Sequence, residues 1–217
     1  MPSTDSTVSS ATPRIVRRYH RVERAVSTLF ALAVATVAAV AFLSVSVLPA
    51  LAITLATVAV VRVPVFETGG RVTLDTDATP DAVLADFAGP RPPVLAFQWG
   101  PADGVRETDD GAVYDFSYLF GLRSLSMSVT TEPLADDGQT LELSVSTAGQ
   151  PWGRYLVRVS ETDDGTVVDV EYSAERLFDL RSLPQWILAR RYRDAVLDAQ
   201  GYTVRGREST VTVGRNG

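Results

Sequence analysis

Side chains that could carry out acid–base or nucleophilic chemistry are scarce in this sequence. Its 217 residues include one histidine, His20, and no cysteine. A thiol nucleophile, a cysteine-based zinc site, an iron–sulfur cluster and a disulfide framework are therefore excluded. Because His20 lies in a polar amino-terminal segment, an imidazole base inside a folded domain is excluded as well. We predict no catalytic residue, no metal ligand and no cofactor.

The carboxylates do not form an obvious catalytic pair. Asp115, Asp169 and Glu171 stand in alternating segments at positions opposite the apolar side chains, where water would solvate them. The acidic turns also lack the spaced oxygen ligands of a calcium-binding loop. A cyclase-like or hydrolase-like enzyme is therefore the least favoured function, and its general base would have to be a carboxylate or a tyrosine.

Aromatic side chains are the residues best suited to contact a ligand. They offer a large apolar area together with a few polar groups, as pockets for small molecules require. The same side chains would also serve to fill a solid core. The candidate lining of a cavity consists of Trp99, Tyr114, Phe116, Tyr118, Trp186 and Tyr192.

The charges divide the chain into two parts. All 20 basic residues are arginine; residues 1–66 hold six of them and two acids, and residues 67–217 hold 14 and 24. An acidic domain without lysine is typical of a halophile-like protein that works in concentrated salt, although codon bias towards arginine offers another explanation. The overall charge of −6 argues against a nucleic-acid partner.

An uncharged run in the amino-terminal third predicts membrane helices. The 37 residues between Arg24 and Arg62 carry no charge, and as one helix they would be about 55 Å long against a hydrocarbon core of about 30 Å. Two spans near 25–45 and 48–65, separated by a turn at 44–49, fit better. The arginines before the first span predict a cytoplasmic amino terminus and a cytoplasmic domain in a multi-pass protein of the cell membrane.

This interpretation divides the chain into a disordered basic tail (1–24), a transmembrane hairpin (25–66) that contacts the lipid bilayer, and a soluble domain (67–217). Three alternatives stay open. One long tilted span would place the domain outside. A cleaved signal peptide would need a much shorter apolar region of about 7–15 residues. An extracellular β-sandwich on a single span would have no cavity and a strand in place of the last helix.

Alternation of apolar and polar residues predicts an antiparallel sheet in the soluble domain. The clearest strands are 71–74, 112–118, 123–131, 141–146, 155–159 and 166–173. Asp-Asp-Gly occurs at 109–111, 136–138 and 163–165, each time between two such segments, where glycine supplies the positive φ of a hairpin turn. A last strand is expected within 202–213.

Two helices are predicted around these strands. Thr79 followed by Pro80 begins a short helix, and Ser182-Leu183-Pro184-Gln185 is a capping box that begins a longer one, which ends at Gly201. The proline-rich segment 89–104 between the first helix and the hairpins should be irregular.

This order of elements resembles the polyketide cyclase/START-like (SRPBCC-type) family. Residues 72–83 resemble the opening strand and first helix of that family, and the helix at 183–201 resembles its closing helix. The resemblance covers roughly residues 70–202. It implies an α+β helix-grip fold, an antiparallel sheet wrapped on a long carboxy-terminal helix, here preceded by two transmembrane helices. Members of the family often hold an apolar or amphipathic ligand between helix and sheet.

The sequence therefore predicts a membrane-anchored START-like module that binds an apolar or amphipathic small ligand or lipid. The alternative is a non-catalytic interaction or scaffold domain with a filled core, whose partner would be another membrane protein.

Overall fold

The computed structural model describes residues 12–118, 122–134, 138–175, 177–179 and 192–213. Its helices are α1 (Thr12–Ser44), α2 (Val47–Arg62), α3 (Pro80–Ala88) and the short α4 (Ala96–Trp99), which follows a 3-10 turn at Pro93–Leu95. The strands are β1 (Pro64–Thr76), β2 (Gly104–Thr108), β3 (Gly111–Tyr118), β4 (Arg123–Pro133), β5 (Thr140–Thr147), β6 (Gln150–Thr162), β7 (Gly165–Ala174), β8 (Phe178–Asp179) and β9 (Thr203–Val213).

These strands form one nine-stranded antiparallel sheet in the described part of the chain. The strand order is β2-β3-β4-β5-β6-β7-β1-β8, and β9 also pairs with β1. Strands β2 to β7 follow each other as hairpins, so their order in the sheet is their order in the chain. The first strand, β1, closes this series by pairing with β7 on one side and with β9 on the other.

The positive φ predicted for the turn glycines is confirmed in all three Asp-Asp-Gly sequences. Gly111, Gly138 and Gly165 have φ angles of 150°, 67° and 132°. The turns at Gly111 and Gly165 join β2 to β3 and β6 to β7. At Gly111 an added Cβ would lie 2.2 Å from the carbonyl oxygen of Val129, so the turn needs glycine for space as well as for its backbone angle.

Helix α3 begins as its sequence predicts. Thr79 is its N-cap and accepts a hydrogen bond from the backbone N–H of Ala82 at 3.4 Å, and Pro80 occupies the first turn. The proline-rich segment that follows is more ordered than expected. It forms the 3-10 turn and α4, which bring Leu95, Ala96 and Trp99 into the core.

The structure contradicts the predicted transmembrane helices. Residues 12–62 do form two helices that break between Ser44 and Val47, but no helix in the described ranges combines the length and apolar character needed to cross a membrane. Helix α2 has only 16 residues, about 24 Å against a hydrocarbon core of about 30 Å. Helix α1 begins at Thr12, so its first turns include the arginine cluster of the predicted tail. The prediction of a two-span cell-membrane protein is therefore wrong.

The predicted fold class is also wrong in its long carboxy-terminal helix. In place of a helix over 183–201, the described residues are helical at 192–198, and most of the predicted helix, including its capping box, lies outside the described residues. The predicted end of this helix is confirmed. Gly201 has a φ of 87°, and its backbone N–H donates to the carbonyl of Asp198 at 3.0 Å.

The core lies on one face of the sheet. Buried side chains of β1 and β3 to β7 form it together with Val83 and Phe87 of α3, the residues of α4, and Val196 and Leu197 of the helical segment 192–198. We call this side of the sheet the inward face. The opposite, outward face carries arginines and carboxylates that pair across neighbouring strands.

Candidate functional site

Three of the six predicted cavity residues lie together on or under the inward face. Tyr114, in the middle of β3, is fully buried; Phe116, two residues further, is half-buried; and Trp99, at the end of α4, is buried. The indole Nε1–H of Trp99 donates to the carbonyl of Pro92 at 2.9 Å, so this side chain fixes the proline-rich segment to the core.

The structure describes the other three predicted cavity residues less completely. Tyr118 ends β3, where it pairs with Arg123 through the backbone. Tyr192 is half-buried in the helical segment 192–198, and Trp186 lies outside the described residues. That these six residues line a ligand cavity stays a prediction.

The hydroxyl group of Tyr114 is buried without a hydrogen-bond partner among the residues that the structure describes. Burial raises the pKa of this phenol well above its ordinary value of 10.0, while the positive charge of Arg91 acts in the opposite sense. A phenol in this position stays neutral at physiological pH. It offers one donor and one acceptor to any molecule that reaches it.

Two further hydroxyl groups on the inward face are also buried without a hydrogen-bond partner. The side-chain oxygens of Thr131 and Thr147 are buried and have no partner within the described ranges. Met127 pairs with Tyr114 on one side and with Thr147 on the other, so these three residues form a row across β3, β4 and β5. Thr131 lies on the same face of β4, four residues beyond Met127.

A second row of inward side chains, most of them polar, crosses the sheet towards β9. It runs from Thr131 through Leu143, Tyr155 and Tyr172 to β1 and Ser209. The rings of Tyr155 and Tyr172 stack with centroids 6.3 Å apart, and the Tyr172 hydroxyl lies 3.5 Å from the hydroxyl oxygen of Ser209. Burial raises the pKa of Tyr155, against the effect of the nearby positive charge of Arg193.

Gly70 makes room for this arrangement. It stands opposite Tyr172 in the register of β1 and β7. A Cβ at Gly70 would lie 3.0 Å from both Cε1 and the hydroxyl oxygen of Tyr172, and 2.2 Å from the carbonyl oxygen of Glu208. The missing side chain therefore lets the tyrosine ring lie across β1, next to Ser209.

Arg193 lies over Tyr172, and Arg207 stands two residues before Ser209 on the inward face of β9. The guanidinium carbon of Arg193 lies 5.7 Å from the centroid of the Tyr172 ring, within the range of a cation–π contact. Arg207 donates from Nη2 to Asp194 at 2.7 Å, and its side chain is only 10% exposed. The Nε–H of Arg207 is buried and has no partner in the part of the chain that is described. We call Arg193, Arg207, Tyr172 and Ser209 the cationic cluster.

The carboxylates that the sequence placed in water do lie on the outward face. Asp115 accepts hydrogen bonds from Arg106 at 2.9 Å and from Ser126 at 2.8 Å, and these two bonds hold its pKa below the usual value. Asp169 accepts from Thr73 at 2.6 Å, and Glu171 pairs with Arg71 and Arg158. Among the described residues no group of three or more His, Asp or Glu side chains could hold a metal ion.

Sequence reasoning did not find the cationic cluster. In a regular strand the alternation from Val204 would place Arg205 and Arg207 on the same face. The register of β9 against β1 shifts between Thr73 and Leu74, because Gly206 pairs with Thr73 while Val204 pairs with Leu74. This bulge turns Arg205 outward to Asp75 and Arg207 inward. The only sequence signal for it was Gly206 inside a strand.

Comparisons with known proteins give a likeness in structure only. No protein-family model matches the sequence, and no curated protein matches it either. Among solved structures, a START superfamily protein from Mycobacterium smegmatis is similar at 9% identity and a TM-score of 0.41, covering 62% of this chain and 97% of its own. A protein from Rhizobium loti is similar at 19% identity and a TM-score of 0.41, over 62% and 96% of the two chains. A protein from Chromobacterium violaceum is similar at 12% identity and a TM-score of 0.40, over 60% and 98%.

Proposed function

We propose that this chain is a START-like module that binds a small apolar or amphipathic ligand on the inward face of its sheet. The observation that carries the proposal is the set of buried, unpartnered hydroxyl groups of Tyr114, Thr131 and Thr147 within the described residues. Each such group costs about 1–3 kcal/mol of folding free energy relative to a hydrogen-bonded one. A ligand with a hydroxyl, ether or carbonyl oxygen would supply the missing partners.

The order of elements supports the same proposal. After α1 and α2, a strand and a capped helix are followed by hairpin strands, and a helical segment at 192–198 packs its Val196 and Leu197 against the core. In this arrangement helices α3 and α4 and the segment 192–198 lie on the same face of the sheet as the unpartnered hydroxyls. A ligand there would be enclosed between helices and sheet, as small-molecule sites usually are.

Binding is better supported than catalysis. The acids Asp115, Asp169 and Glu171 lie on the face of the sheet opposite the hydroxyls, and arginine or hydroxyl partners hold each of them. The inward face offers neutral hydroxyls and tyrosines that can orient a ligand. No carboxylate stands beside Tyr114 in the register of β2, β3 and β4, where a general base would be needed.

The test uses 1-decanol as a neutral amphiphilic probe and isothermal titration calorimetry of the full chain. We expect saturable binding with one site per chain. The double variant Tyr114→Phe/Thr147→Val removes two unpartnered hydroxyls with little change in volume. It should lower the affinity for decanol by about fivefold or more, since each lost hydrogen bond is worth about 0.5–1.5 kcal/mol.

The matched control is Ser128→Ala/Thr130→Val, which changes two hydroxyl residues of β4 on the outward face. It should bind decanol as the wild type does. Urea unfolding should show the Tyr114→Phe/Thr147→Val variant to be at least as stable as the wild type, because the removed hydroxyls have no partners to lose. Wild-type protein that shows no saturable binding, or equal affinities in wild type and inward variant, would overturn the proposal.

A further inference from the structure

We infer that the cationic cluster is an anion-recognising end of the inward face, and that it takes the carboxylate of an amphipathic ligand whose apolar body lies along the sheet. This inference rests on the proposed function, because it names the class of ligand for the same face. It concerns Arg193, Arg207, Tyr172 and Ser209, which neither the sequence patterns nor the comparisons single out.

Arg207 is the strongest argument for a built site. The bulge in β9 turns this side chain onto the inward face, where it stands beside Val72 in the register of β1. Nine-tenths of the side chain is buried, yet its Nε–H has no acceptor among the described residues. A guanidinium presents five N–H donors in a planar fork that matches a carboxylate. Asp194 accepts from Nη2 only, so the Nε–H is left for another acceptor.

Arg193 approaches the same place from the helical segment 192–198. Its guanidinium lies over the Tyr172 ring, and none of the ion pairs in the described part of the chain involves it. Stacking on an aromatic ring leaves the N–H groups in the guanidinium plane free to donate. Tyr172 and Ser209, whose hydroxyl oxygens lie 3.5 Å apart, add two hydroxyl groups at the end of the polar row.

The local charge favours a carboxylate over a phosphate. Arg193 and Arg207 bring two positive charges and Asp194 one negative charge, so the group as a whole is singly positive. A carboxylate would neutralise it, whereas a phosphate monoester, with a charge of about −1.5 to −2, would leave excess negative charge beside the buried side chain of Arg207.

The neighbours of the cluster suit an apolar body. In the sheet, Arg207 adjoins Val72, which in turn adjoins Val170, and the row from Tyr172 continues through Tyr155 to Leu143. Val72, Val170 and Leu143 are buried members of the core. A ligand anchored by its carboxylate at Arg207 would therefore meet valine and leucine side chains along the inward face, in the direction of the unpartnered hydroxyl of Thr131.

The experiment compares three probes with the same ten-carbon chain: decanoate, 1-decanol and decyl phosphate, each titrated calorimetrically into the full chain. Wild-type protein should bind decanoate about tenfold more tightly than decanol, and more tightly than decyl phosphate. Arg193→Gln and Arg207→Gln should each bring the affinity for decanoate down to within about threefold of that for decanol. Neither variant should change the affinity for decanol.

Arg205→Gln is the matched control. It removes an arginine of the same strand whose side chain is exposed and pairs with Asp75 on the outward face. This variant should bind decanoate as the wild type does, which separates a local site from the general effect of losing a positive charge. Circular dichroism of each variant checks that the sheet is retained.

The outcomes separate the two proposals. Equal binding of decanol and decanoate by the wild type, or equal losses for Arg205→Gln and Arg193→Gln, would overturn the anion site and leave the proposed function in place. Tighter binding of decyl phosphate than of decanoate would overturn the carboxylate assignment. If none of the three probes shows saturable binding, the proposed function itself is overturned.

Discussion

At the scale of single residues, the buried phenols of Tyr114 and Tyr202 stay protonated to a higher pH than a tyrosine in water does. Burial is the main cause that raises the pKa of each, and for Tyr202 the negative charge of Asp86 and the hydrogen bond to it, 3.0 Å long, act in the same direction. In the unfolded chain both phenols would titrate near the ordinary value of 10.0. Above that pH the unfolded state binds fewer protons than the folded state, so folding stability must fall as pH rises.

The first prediction follows from this difference. The stability contributed by these tyrosines is fully present below pH 10 and is lost above it, with a slope of about 1.4 kcal/mol per pH unit for each raised phenol. In Tyr114→Phe the slope of stability against pH between about pH 10 and 11 should be smaller by the contribution of one phenol. Stability at neutral pH should be unchanged or slightly higher. Urea unfolding at several pH values measures both quantities.

Tyr202→Phe serves as the comparison for this prediction. It should flatten the alkaline slope in the same way, but it should also lower stability at neutral pH by about 1 kcal/mol, because it breaks the hydrogen bond to Asp86. An alkaline slope in Tyr114→Phe that equals the wild-type slope would show that its phenol titrates normally in the folded protein.

At the scale of secondary-structure elements, the hairpin between β5 and β6 stores strain. Thr147 pairs with Gln150, so the turn consists of Ala148 and Gly149 alone. Their φ angles are 51° and 75°, and Ala148 is the only described residue other than glycine with a positive φ. A two-residue turn with both φ angles positive favours Asn-Gly, and alanine in that conformation costs about 1–2 kcal/mol.

The second prediction is that Ala148→Asn stabilises the protein. The free energy of unfolding should rise by about 0.5–1 kcal/mol, since asparagine tolerates the left-handed conformation better than alanine does. Ala85→Gly, an exposed position inside α3, is the control of opposite sign and should lower stability by about 1 kcal/mol. A loss of stability in Ala148→Asn, measured by urea unfolding, would contradict the strained turn.

The same elements show what the sequence could predict. Strands β3 to β7 were predictable because their alternating residues and their turn glycines are local signals, and the Thr79 cap of α3 is equally local. Two features were not. Ala148 carries no turn signal, since its conformation is imposed by the pairing of β5 with β6. The inward placement of Arg207 depends on a bulge that only the register against β1 determines, and that register joins residues more than a hundred positions apart.

At the scale of the whole molecule, the local patterns at the amino terminus were misleading. The uncharged run was correctly predicted to be helical and to break near residue 45, but apolar composition alone did not determine whether its helices could cross a membrane. Large apolar side chains of these helices, such as Leu43 and Leu48, are exposed in the structure. The cationic cluster likewise needed more than composition, because it depends on β1, β7, β9 and the segment 192–198.

Charge is the property of the whole molecule that can be tested most directly. Residues 67–217 carry 24 acids against 14 arginines, and many of the arginines already pair with carboxylates on the outward face. The unpaired excess includes the acidic turns, where Asp109, Asp110, Asp163 and Asp164 are exposed. Self-repulsion among such charges destabilises the compact state, and salt screens it over a distance that shrinks from about 30 Å at about 0.01 M to about 3 Å at about 1 M.

The third prediction is that replacing these four aspartates by asparagine stabilises the protein at low salt. Asparagine suits the turn positions as well as aspartate does, so the change removes four negative charges with little effect on backbone preference. At about 0.01 M NaCl the free energy of unfolding should exceed that of the wild type by about 1 kcal/mol, and at about 1 M the two proteins should converge. Comparing the variant with the wild type at each concentration cancels the effect of salt on hydrophobic burial. A difference in stability that persists in high salt would assign the gain to the turns themselves. It would then refute self-repulsion as the cause of the gain.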